Sequence, residues 1–258
     1  MTRRQFVPAL AAGGALALEA QDKAPCVYEV RTIRLRNTPE NQRARLTDFL
    51  EHAAVPAFAR AGIGPCAYFA TSVAEETPSV VSVASYPSLA AMEQMRAKLS
   101  ADAEYKRALT AYNSQPGLNY ERIDSFLGRA FPGFPAMVVP EDAKGRPARL
   151  FEMRCYESNN ATTLARKIKM FESGEIAIFQ RLGMRPVFFA ETIAGARMPN
   201  LVYVLSYDDL AAREKMWKAF GADPEWQKLR SMPGYSDAEI VSNISVSFLQ
   251  PLPFSAVR

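Results

Sequence analysis

The same pair of charged residues occurs in two segments of the chain that resemble β-strands. Glu29 and Arg31 lie in VYEVRTIRL, and Glu152 and Arg154 lie in RLFEMRCY. The guanidinium of an arginine beside a pocket can hold a carboxylate or an enolate through two parallel hydrogen bonds. We therefore predict that Arg31 and Glu152 bind a ligand and that Arg154 stabilises an anion during catalysis. The alternative is an ion pair between the glutamate and the arginine on the same face of the sheet.

Two further carboxylates of the second half could transfer protons to or from a substrate held by Arg154. Glu175 follows a glycine in a predicted helix, and Glu191 stands at the end of a predicted strand. A pair of carboxyl groups in one pocket can divide the roles of general acid and general base. Solvated charges, or a salt bridge on the side of the helix, would explain the same residues without catalysis.

Two aromatic residues complete the predicted site. Tyr203 lies in the predicted strand NLVYVLSY, and Trp226 follows Asp223-Pro224-Glu225 at the start of a short predicted helix. Both could line a ligand pocket, with Trp226 as a lid. The structural alternatives are a core position for Tyr203 and packing of Trp226 back onto the core from a capped helix.

Residues that bind metals or haem are scarce in this sequence. His52 is the single histidine, and a helical histidine can be an axial haem ligand. Its position on the flank of an apolar helical stripe also suits a surface or boundary residue. Cys26, Cys66 and Cys155 have no regular spacing, which matches neither a zinc site nor a disulfide framework. The sequence thus predicts no metal and no cofactor.

These residues belong to a chain that repeats itself. Residues 80–109 align with residues 201–230 without a gap, at an offset of 121 positions (201 − 80). Tyr86 matches Tyr207, and Tyr105 stands opposite Trp226. An offset of this size indicates two domains of ordinary length. We predict an export signal at 1–24, a first domain at 25–128, a linker rich in proline and glycine at 129–147 and a second domain at 148–258.

Hydrophobic periodicity assigns the same order of elements to each half, namely strand, helix, strand, strand, helix, strand. The predicted class is therefore α+β, with two tandem ferredoxin-like (βαββαβ) domains in a dimeric α/β-barrel-type arrangement. Tyr28, Val30 and Thr32 form one face of the first strand, and Glu29 and Arg31 form the other. With helices on one face of each sheet, we expect the Glu-x-Arg faces to meet in the lumen of the barrel or at its mouth.

Composition and charge exclude several classes of protein. The 258 residues are 48% hydrophobic and 22% charged, which is typical of a folded globular chain. The net charge of +4 is dispersed and forms no basic run, so nucleic acid is not an expected partner. No apolar stretch reaches the roughly 18 residues of a membrane-spanning helix.

The N-terminal segment resembles an export signal. Arg3 and Arg4 are followed by Phe6, by an apolar run of small residues and by Ala20. This arrangement resembles a twin-arginine signal, which directs folded bacterial proteins across the inner membrane. The alternatives are an ordinary secretory signal or an uncleaved N-terminal anchor. We therefore predict a periplasmic or secreted protein without stable membrane insertion once the signal is removed.

Several segments resemble the NIPSNAP family. They are YEVRT and FEMRCYES, the run GE-x-x-IF-x-x-x-G-x-x-PVFFAETIAG, and PNLVYVLSY with the later DPEW. The resemblance covers about residues 27–250 in two copies. The first copy departs from the second, since Ala70 stands where Glu191 does, and His52 with its neighbours stands where Glu175 does. Any role of those carboxylates would belong to the second half.

The resemblance implies the dimeric α/β-barrel superfamily, whose members include cofactor-independent monooxygenases, haem-degrading enzymes and small-molecule isomerases. A shared fold does not transfer an activity. We expect an exported protein that binds a small organic ligand in the barrel or between the sheet and the helices. The alternatives are a cofactor-independent monooxygenase or isomerase, and a non-catalytic assembly module. A homo-oligomer is compatible with each of them.

Overall fold

The computed structural model describes residues 24–140 and 147–258. The predicted export signal, apart from its last residue, and residues 141–146 of the predicted linker therefore lie outside the described residues. Within them the chain is a mixed α+β protein in which eight antiparallel strands close into one barrel. No described helix has the length and apolar content that a membrane crossing requires.

The first half contains four strands with helical segments between them. They are β1 (Val27–Arg34), α1 (Gln42–Phe49), the π-helix π1 (Leu50–Ala54), α2 (Val55–Ala61), β2 (Cys66–Val73), β3 (Ser79–Tyr86), α3 (Leu89–Ala101), α4 (Ala103–Asn113) and β4 (Arg122–Ala130). Thr38 followed by Pro39 resembles a helix start in the sequence, with a hydroxyl at the N-cap and proline at the first helical position. The helix begins later, because the Asn41 side chain caps it by accepting a hydrogen bond from the backbone N–H of Ala44 at 3.2 Å. A glycine after an apolar helical stripe predicts a helix end, and Gly62 does end α2, with a φ of 82°.

The second half repeats this order with one extra short helix. It contains β5 (Leu150–Glu157), α5 (Ala161–Met170), the π-helix π2 (Phe171–Glu175), α6 (Ile176–Arg181), β6 (Arg185–Ala194), β7 (Asn200–Tyr207), α7 (Leu210–Ala222), α8 (Pro224–Arg230), α9 (Asp237–Ile240) and β8 (Asn243–Pro251). A glycine inside a helical pattern predicts an interruption, and Gly174 departs from helical geometry inside π2. The segment IVSNISVSFL predicts a last strand that begins at Ile240, but that residue ends α9 and β8 starts three residues later.

The strand order shows how the barrel closes. It runs β1-β3-β2-β8-β5-β7-β6-β4 and returns to β1. Within the halves the orders are β4-β1-β3-β2 and β8-β5-β7-β6, and the pairs β2–β8 and β4–β6 join the halves. All the strands come from one chain, so the barrel is complete without a partner.

The inner face of the barrel wall is apolar in its deep part. Tyr28 and Val30 of β1 belong to a single buried cluster together with Phe69, Phe151 and Phe188. The rings of Phe69 and Phe151, which come from different halves, lie with centroids 5.0 Å apart. A barrel of eight strands encloses an interior that side chains can fill. The deep part of the lumen is therefore a packed core.

The Glu-x-Arg pairs point outward, toward the helices. Glu29 and Arg31 share a cavity with Phe49 of α1, and Glu152 accepts a hydrogen bond from Trp217 of α7 at 3.0 Å. The prediction that these pairs meet in the lumen or at its mouth is therefore wrong. Residues do alternate between the two faces of each strand, but the charged face meets the helices and the apolar face meets the lumen. A packed apolar lumen would leave a carboxylate and a guanidinium desolvated, whereas the helix side supplies hydrogen-bonding groups and access to water.

Two equivalent helix positions are apolar in the first half and charged in the second. At the offset of 121 residues, π1 coincides with π2, and Leu46 and Ala54 correspond to Lys167 and Glu175. Nζ of Lys167 lies 3.1 Å from Oε2 of Glu175, and both side chains are buried. Burial raises the pKa of Glu175, and the charge of Lys167 opposes this shift without cancelling it. The second half thus contains a buried ion pair where the first half has an apolar contact.

Replacement of Lys167 by leucine would leave Glu175 buried without its partner. We expect Lys167→Leu to lower the free energy of unfolding by about 3–5 kcal/mol. The double variant Lys167→Leu/Glu175→Ala copies the first half and should recover most of that loss, because no buried charge is left unpaired. Urea unfolding at neutral pH measures both variants. A single variant as stable as the wild type would contradict the buried pair.

Candidate functional site

A cavity of about 310 Å³ lies between the sheet and the helices of the first half. Its floor is the outward face of β1, β3 and β2, and its walls are mostly apolar or aromatic, including Ile33, Leu46, Phe49, Phe58, Tyr105 and Tyr112. The rings of Phe49 and Tyr112 stack with centroids 4.6 Å apart. A concave apolar space with a few polar groups is the usual form of a small-molecule site. We call this space the first-half pocket.

Three residues in one register row form the centre of the pocket floor. Arg31 of β1 pairs with Ser82 of β3, and Ser82 pairs with Tyr68 of β2. Neighbouring strands are about 4.8 Å apart, so the backbones at Arg31 and Tyr68 are about 10 Å apart. All three residues line the cavity. The short side chain of Ser82 leaves the space between the guanidinium and the phenol open.

Arg31 is fixed on one side and available on the other. Its Nε and Nη2 atoms donate to Oε1 of Glu29 at 2.9 and 2.6 Å, and the Tyr86 hydroxyl donates to Oε2 at 3.2 Å. Nη1 of Arg31 makes no hydrogen bond within the described part of the chain, and the side chain is 35% exposed. The ion pair foreseen as the alternative is present. It orients the guanidinium and leaves donors for a ligand.

Tyr68 presents a polar atom without a partner at the other end of the row. Its hydroxyl is buried and makes no hydrogen bond in the described residues. Burial raises the pKa of Tyr68, and the nearby Cys66 adds to the effect, so the phenol stays protonated. The Cys66 thiol close by is only a weak acceptor, and a buried hydroxyl without a full hydrogen bond is unusual in a folded protein and is often explained by a ligand or a water molecule.

The equivalent row of the second half is filled by side chains. Arg154 pairs with Tyr203, and Tyr203 pairs with Phe189. The Tyr203 ring stacks on Phe189 with centroids 5.4 Å apart. Trp217 covers Arg154, whose guanidinium carbon lies 4.5 Å from the ring centroid. The Arg154 side chain is 12% exposed, against 35% for Arg31.

Glu152 is the centre of a buried polar cluster above this row. Its carboxylate accepts hydrogen bonds from Arg154 at 2.6 Å, from Arg213 at 2.8 and 3.0 Å and from Trp217 at 3.0 Å. Burial opposes ionisation of Glu152, but the hydrogen bonds from Arg213 and Trp217 and the charge of Arg154 hold its pKa below the usual value. The carboxylate is therefore fully occupied by protein groups.

The structure brings several of the predicted site residues together. Glu152, Arg154 and Tyr203 belong to one cluster, since the Tyr156 hydroxyl accepts hydrogen bonds from Arg154 at 3.3 Å and from Tyr203 at 2.9 Å. Trp226 lies in the core against Phe220, with ring centroids 4.4 Å apart. This places Trp226 among the packed residues of the second half.

The predicted acid and base are separated. Glu175 is paired with Lys167, and the charge of Arg154 acts on it from nearby. Glu191 is half-buried on β6, where it pairs with Arg129 of β4 in the sheet register. Within the described residues, no hydrogen bond or ion pair joins Glu191 to Arg154 or to Glu175. Catalytic roles for these three residues remain predictions.

The histidine and the cysteines lie apart from one another. His52 is on the exposed side of π1, where its ring contacts Asp48 and its side chain is 69% exposed. Cys26, Cys66 and Cys155 are separate free thiols. The described residues contain no group of three or more histidine, cysteine, aspartate or glutamate side chains that could hold a metal ion.

The sequence patterns did not single out Ser82 and Tyr68, although one signal was present. In the ungapped alignment of the two halves, Ser82 stands opposite Tyr203 and Tyr68 stands opposite Phe189. A repeat that loses a ring at a strand position either closes around the space or leaves a cavity. The alignment alone does not decide between these outcomes.

Comparison with known proteins identifies both halves. The sequence profile of the NIPSNAP family matches residues 28–130 and 151–256. A comparison with curated protein sequences finds no match. A solved NIPSNAP-like domain protein from Burkholderia xenovorans is 25% identical over 42% of this chain and 88% of its own, with a TM-score of 0.37.

Two solved structures are similar over most of the chain. A proposed monooxygenase from Lactobacillus acidophilus NCFM has a TM-score of 0.57 and 9% identity, covering 88% of this chain and 94% of its own. An anthrone oxidase-like protein has a TM-score of 0.50 and 13% identity, covering 90% of this chain and 93% of its own. At such identities the likeness shows the fold alone. The family matches coincide with the two halves of the barrel, and the chain therefore belongs to the NIPSNAP family, with two copies of the family domain closing one barrel.

Proposed function

We propose that this NIPSNAP protein binds a small organic acid or enolate with an aromatic or apolar body in the first-half pocket. The observation that carries the proposal is the open row of Arg31, Ser82 and Tyr68 beneath an apolar roof. An anionic oxygen would accept hydrogen bonds from Nη1 of Arg31. An acceptor at the far end of the ligand would take the hydrogen bond of Tyr68, which has no partner in the described residues.

The second half indicates the size of the ligand. The Tyr203 ring occupies the position that corresponds to the space above Ser82, and it stacks on the residue that corresponds to Tyr68. A single ring fits this layer between sheet and helices. A ligand with one ring and one acidic oxygen would therefore match both the shape and the charge of the pocket.

The finer assignment of the fold belongs to the same proposal. We interpret each half as a ferredoxin-like unit, joined by a linker at 129–147, with the ligand between the sheet and the helices of the first unit. A module that uses its barrel only for assembly would not need a cavity with converging polar groups. The first-half pocket is such a cavity and has such polar groups, which favours ligand binding over assembly.

A second candidate function is oxidation of the bound molecule by dioxygen. An arginine beside an apolar cavity of about 310 Å³, which extends beyond the ring-sized space above Ser82, would stabilise the enolate of a fused-ring anthrone, the reactive form for attack on oxygen. An anthrone oxidase-like protein shares the fold. Conversion of anthrone and O₂ to anthraquinone and water balances without another reductant. In this candidate Arg31 stabilises the anion. The catalytic set predicted from sequence would instead place the chemistry at Arg154, Glu175 and Glu191.

Binding of benzoate, with benzyl alcohol as the uncharged comparison, tests the first proposal. We expect Arg31→Gln to weaken benzoate binding about tenfold or more, because a charge-assisted hydrogen bond is lost. The affinity for benzyl alcohol should change little. Ser82→Tyr copies the second half and should abolish the binding of both molecules. Isothermal titration calorimetry of the full chain measures these affinities.

The matched control is Arg34→Gln, the same substitution three residues further along β1, where the side chain lines another cavity at the end of the barrel. This variant should bind benzoate with the affinity of the wild type. Equal losses in Arg31→Gln and Arg34→Gln, or benzoate binding that survives Ser82→Tyr, would contradict the assigned site.

Oxygen uptake with anthrone tests the second candidate. If the first-half pocket is catalytic, one O₂ should be consumed per anthrone, and Ser82→Tyr should remove the activity. Oxidation that persists in Ser82→Tyr but falls in Arg154→Gln would move the chemistry to the second half. The absence of uptake above the uncatalysed rate would leave binding as the function.

Export is a separate proposal that follows from Arg3 and Arg4. A fusion of residues 1–30 to a reporter that is active only after export should be exported in a bacterium with a twin-arginine pathway. Replacement of both arginines by lysine should reduce export strongly, since that pathway recognises the arginine pair. Export that is unchanged by the double replacement would indicate an ordinary secretory signal.

A further inference from the structure

The lumen of the barrel is filled in its deep part and open at one end. The open end is a cavity of about 380 Å³, whose apolar floor is formed by Val81, Phe126, Met153 and Val202. Beneath the floor lies the packed cluster that closes the lumen. The cavity is therefore a blind space with an entrance at the barrel end. We call it the mouth cavity.

The walls above this floor carry hydroxyl groups. They include those of Thr32, Thr71, Ser79, Thr192, Ser245 and Ser247, and these six residues are spread over five of the strands. The hydroxyls of Thr71 and Ser79 lie 3.0 Å apart, whereas those of Thr32 and Ser247 make no hydrogen bond within the described residues. A hydroxyl both donates and accepts, so such walls match a ligand that does the same.

The arginines at the rim are already paired with carboxylates. Nε of Arg34 lies 3.0 Å from Oδ2 of Asp124, and Nε of Arg122 lies 3.3 Å from Oδ1 of the same carboxylate. Nη2 of Arg197 lies 2.6 Å from Oε2 of Glu75. The three rim arginines are balanced by three rim carboxylates, Glu75, Glu76 and Asp124, so the rim has no net charge that would favour a charged ligand. A neutral ligand can use the hydroxyl walls and leave every ion pair intact.

Arg197 links the two halves across the entrance. It lies between β6 and β7, whereas Glu75 lies between β2 and β3, 122 residues earlier. Nη1 of Arg197 also donates to the Ser245 hydroxyl at 3.0 Å. The φ of Arg197 is 61°, a left-handed conformation that is unfavourable for a residue other than glycine. Such conformations persist where surrounding contacts fix them and are common at functional sites.

We propose that the mouth cavity is a second binding site, separate from the first-half pocket, for a small neutral polyhydroxylated molecule of the size of a monosaccharide or a cyclitol. Its hydroxyls pair with Thr32 and Ser247, and its C–H groups lie on Phe126 and Val202. The cavity volume is within the range of about 300–1,000 Å³ that small-molecule sites occupy. This site does not depend on the ligand of the first-half pocket.

Cys155 provides a reporter for occupancy. It lines the mouth cavity, whereas Cys26 and Cys66 do not and serve as internal references. The full chain is alkylated with iodoacetamide in alkaline buffer, alone or with D-glucose, myo-inositol or sodium acetate at equal concentration, and the rate at each cysteine is followed by peptide mass spectrometry. At saturation, D-glucose or myo-inositol should slow alkylation of Cys155 about fivefold or more, because iodoacetamide reaches the Cys155 thiol only in molecules whose cavity is unoccupied.

Rates at Cys26 and Cys66 should stay unchanged, and acetate should have no effect at Cys155. The proposal is overturned if neither glucose nor inositol protects Cys155, or if acetate protects it as well as they do. Two variants assign the protection to this cavity. Ser247→Phe fills the mouth cavity and should remove the protection, and Ser82→Tyr fills the other pocket and should retain it. Protection that survives in folded Ser247→Phe also overturns the assignment, and if that variant does not fold, the wild-type rates decide.

Discussion

In a closed barrel of eight strands, each side chain of the wall points either into a narrow lumen or outward toward the helices. Successive residues alternate between these two environments, so the choice made at one position fixes the whole strand. Tyr28 and Val30 enter the lumen and pack against the rings of the other half, which forces Glu29 and Arg31 outward. The position of every functional candidate on the sheet follows from this one constraint.

The charged residues of the outward face then need partners, because a layer between sheet and helices excludes much of the water. The second half supplies them from its own helices. Glu152 is surrounded by Arg154, Arg213 and Trp217, and Lys167 is paired with Glu175. This half is a filled polar and aromatic core. Such an arrangement fixes geometry well, but it leaves its arginine few donors for a ligand.

The first half differs from the second in this outward-facing row. Its row of Arg31, Ser82 and Tyr68 retains the arginine but lacks the central ring, and its helices present leucine and alanine in place of the buried ion pair. The result is a pocket with one oriented cation and one hydroxyl that makes no hydrogen bond within residues 24–140 and 147–258, under an apolar roof. One copy of the NIPSNAP domain therefore braces the barrel, and the other has the features of a ligand site.

The sequence by itself determined the duplication, the family, most of the strands and several helix ends, because these depend on local patterns and on residues such as Gly62 and Asp223. It also identified the Glu-x-Arg pairs as the polar feature of the strands. Only the tertiary structure decided which strand face meets the helices, and it reversed the predicted assignment. Alternation defines two faces of a strand but does not decide which of them meets the helices. That choice depends on strand register and barrel closure, which bring together residues far apart in the sequence, such as Phe69 and Phe151. The open space above Ser82 has the same origin, since a missing ring becomes a pocket only where the surrounding packing cannot close.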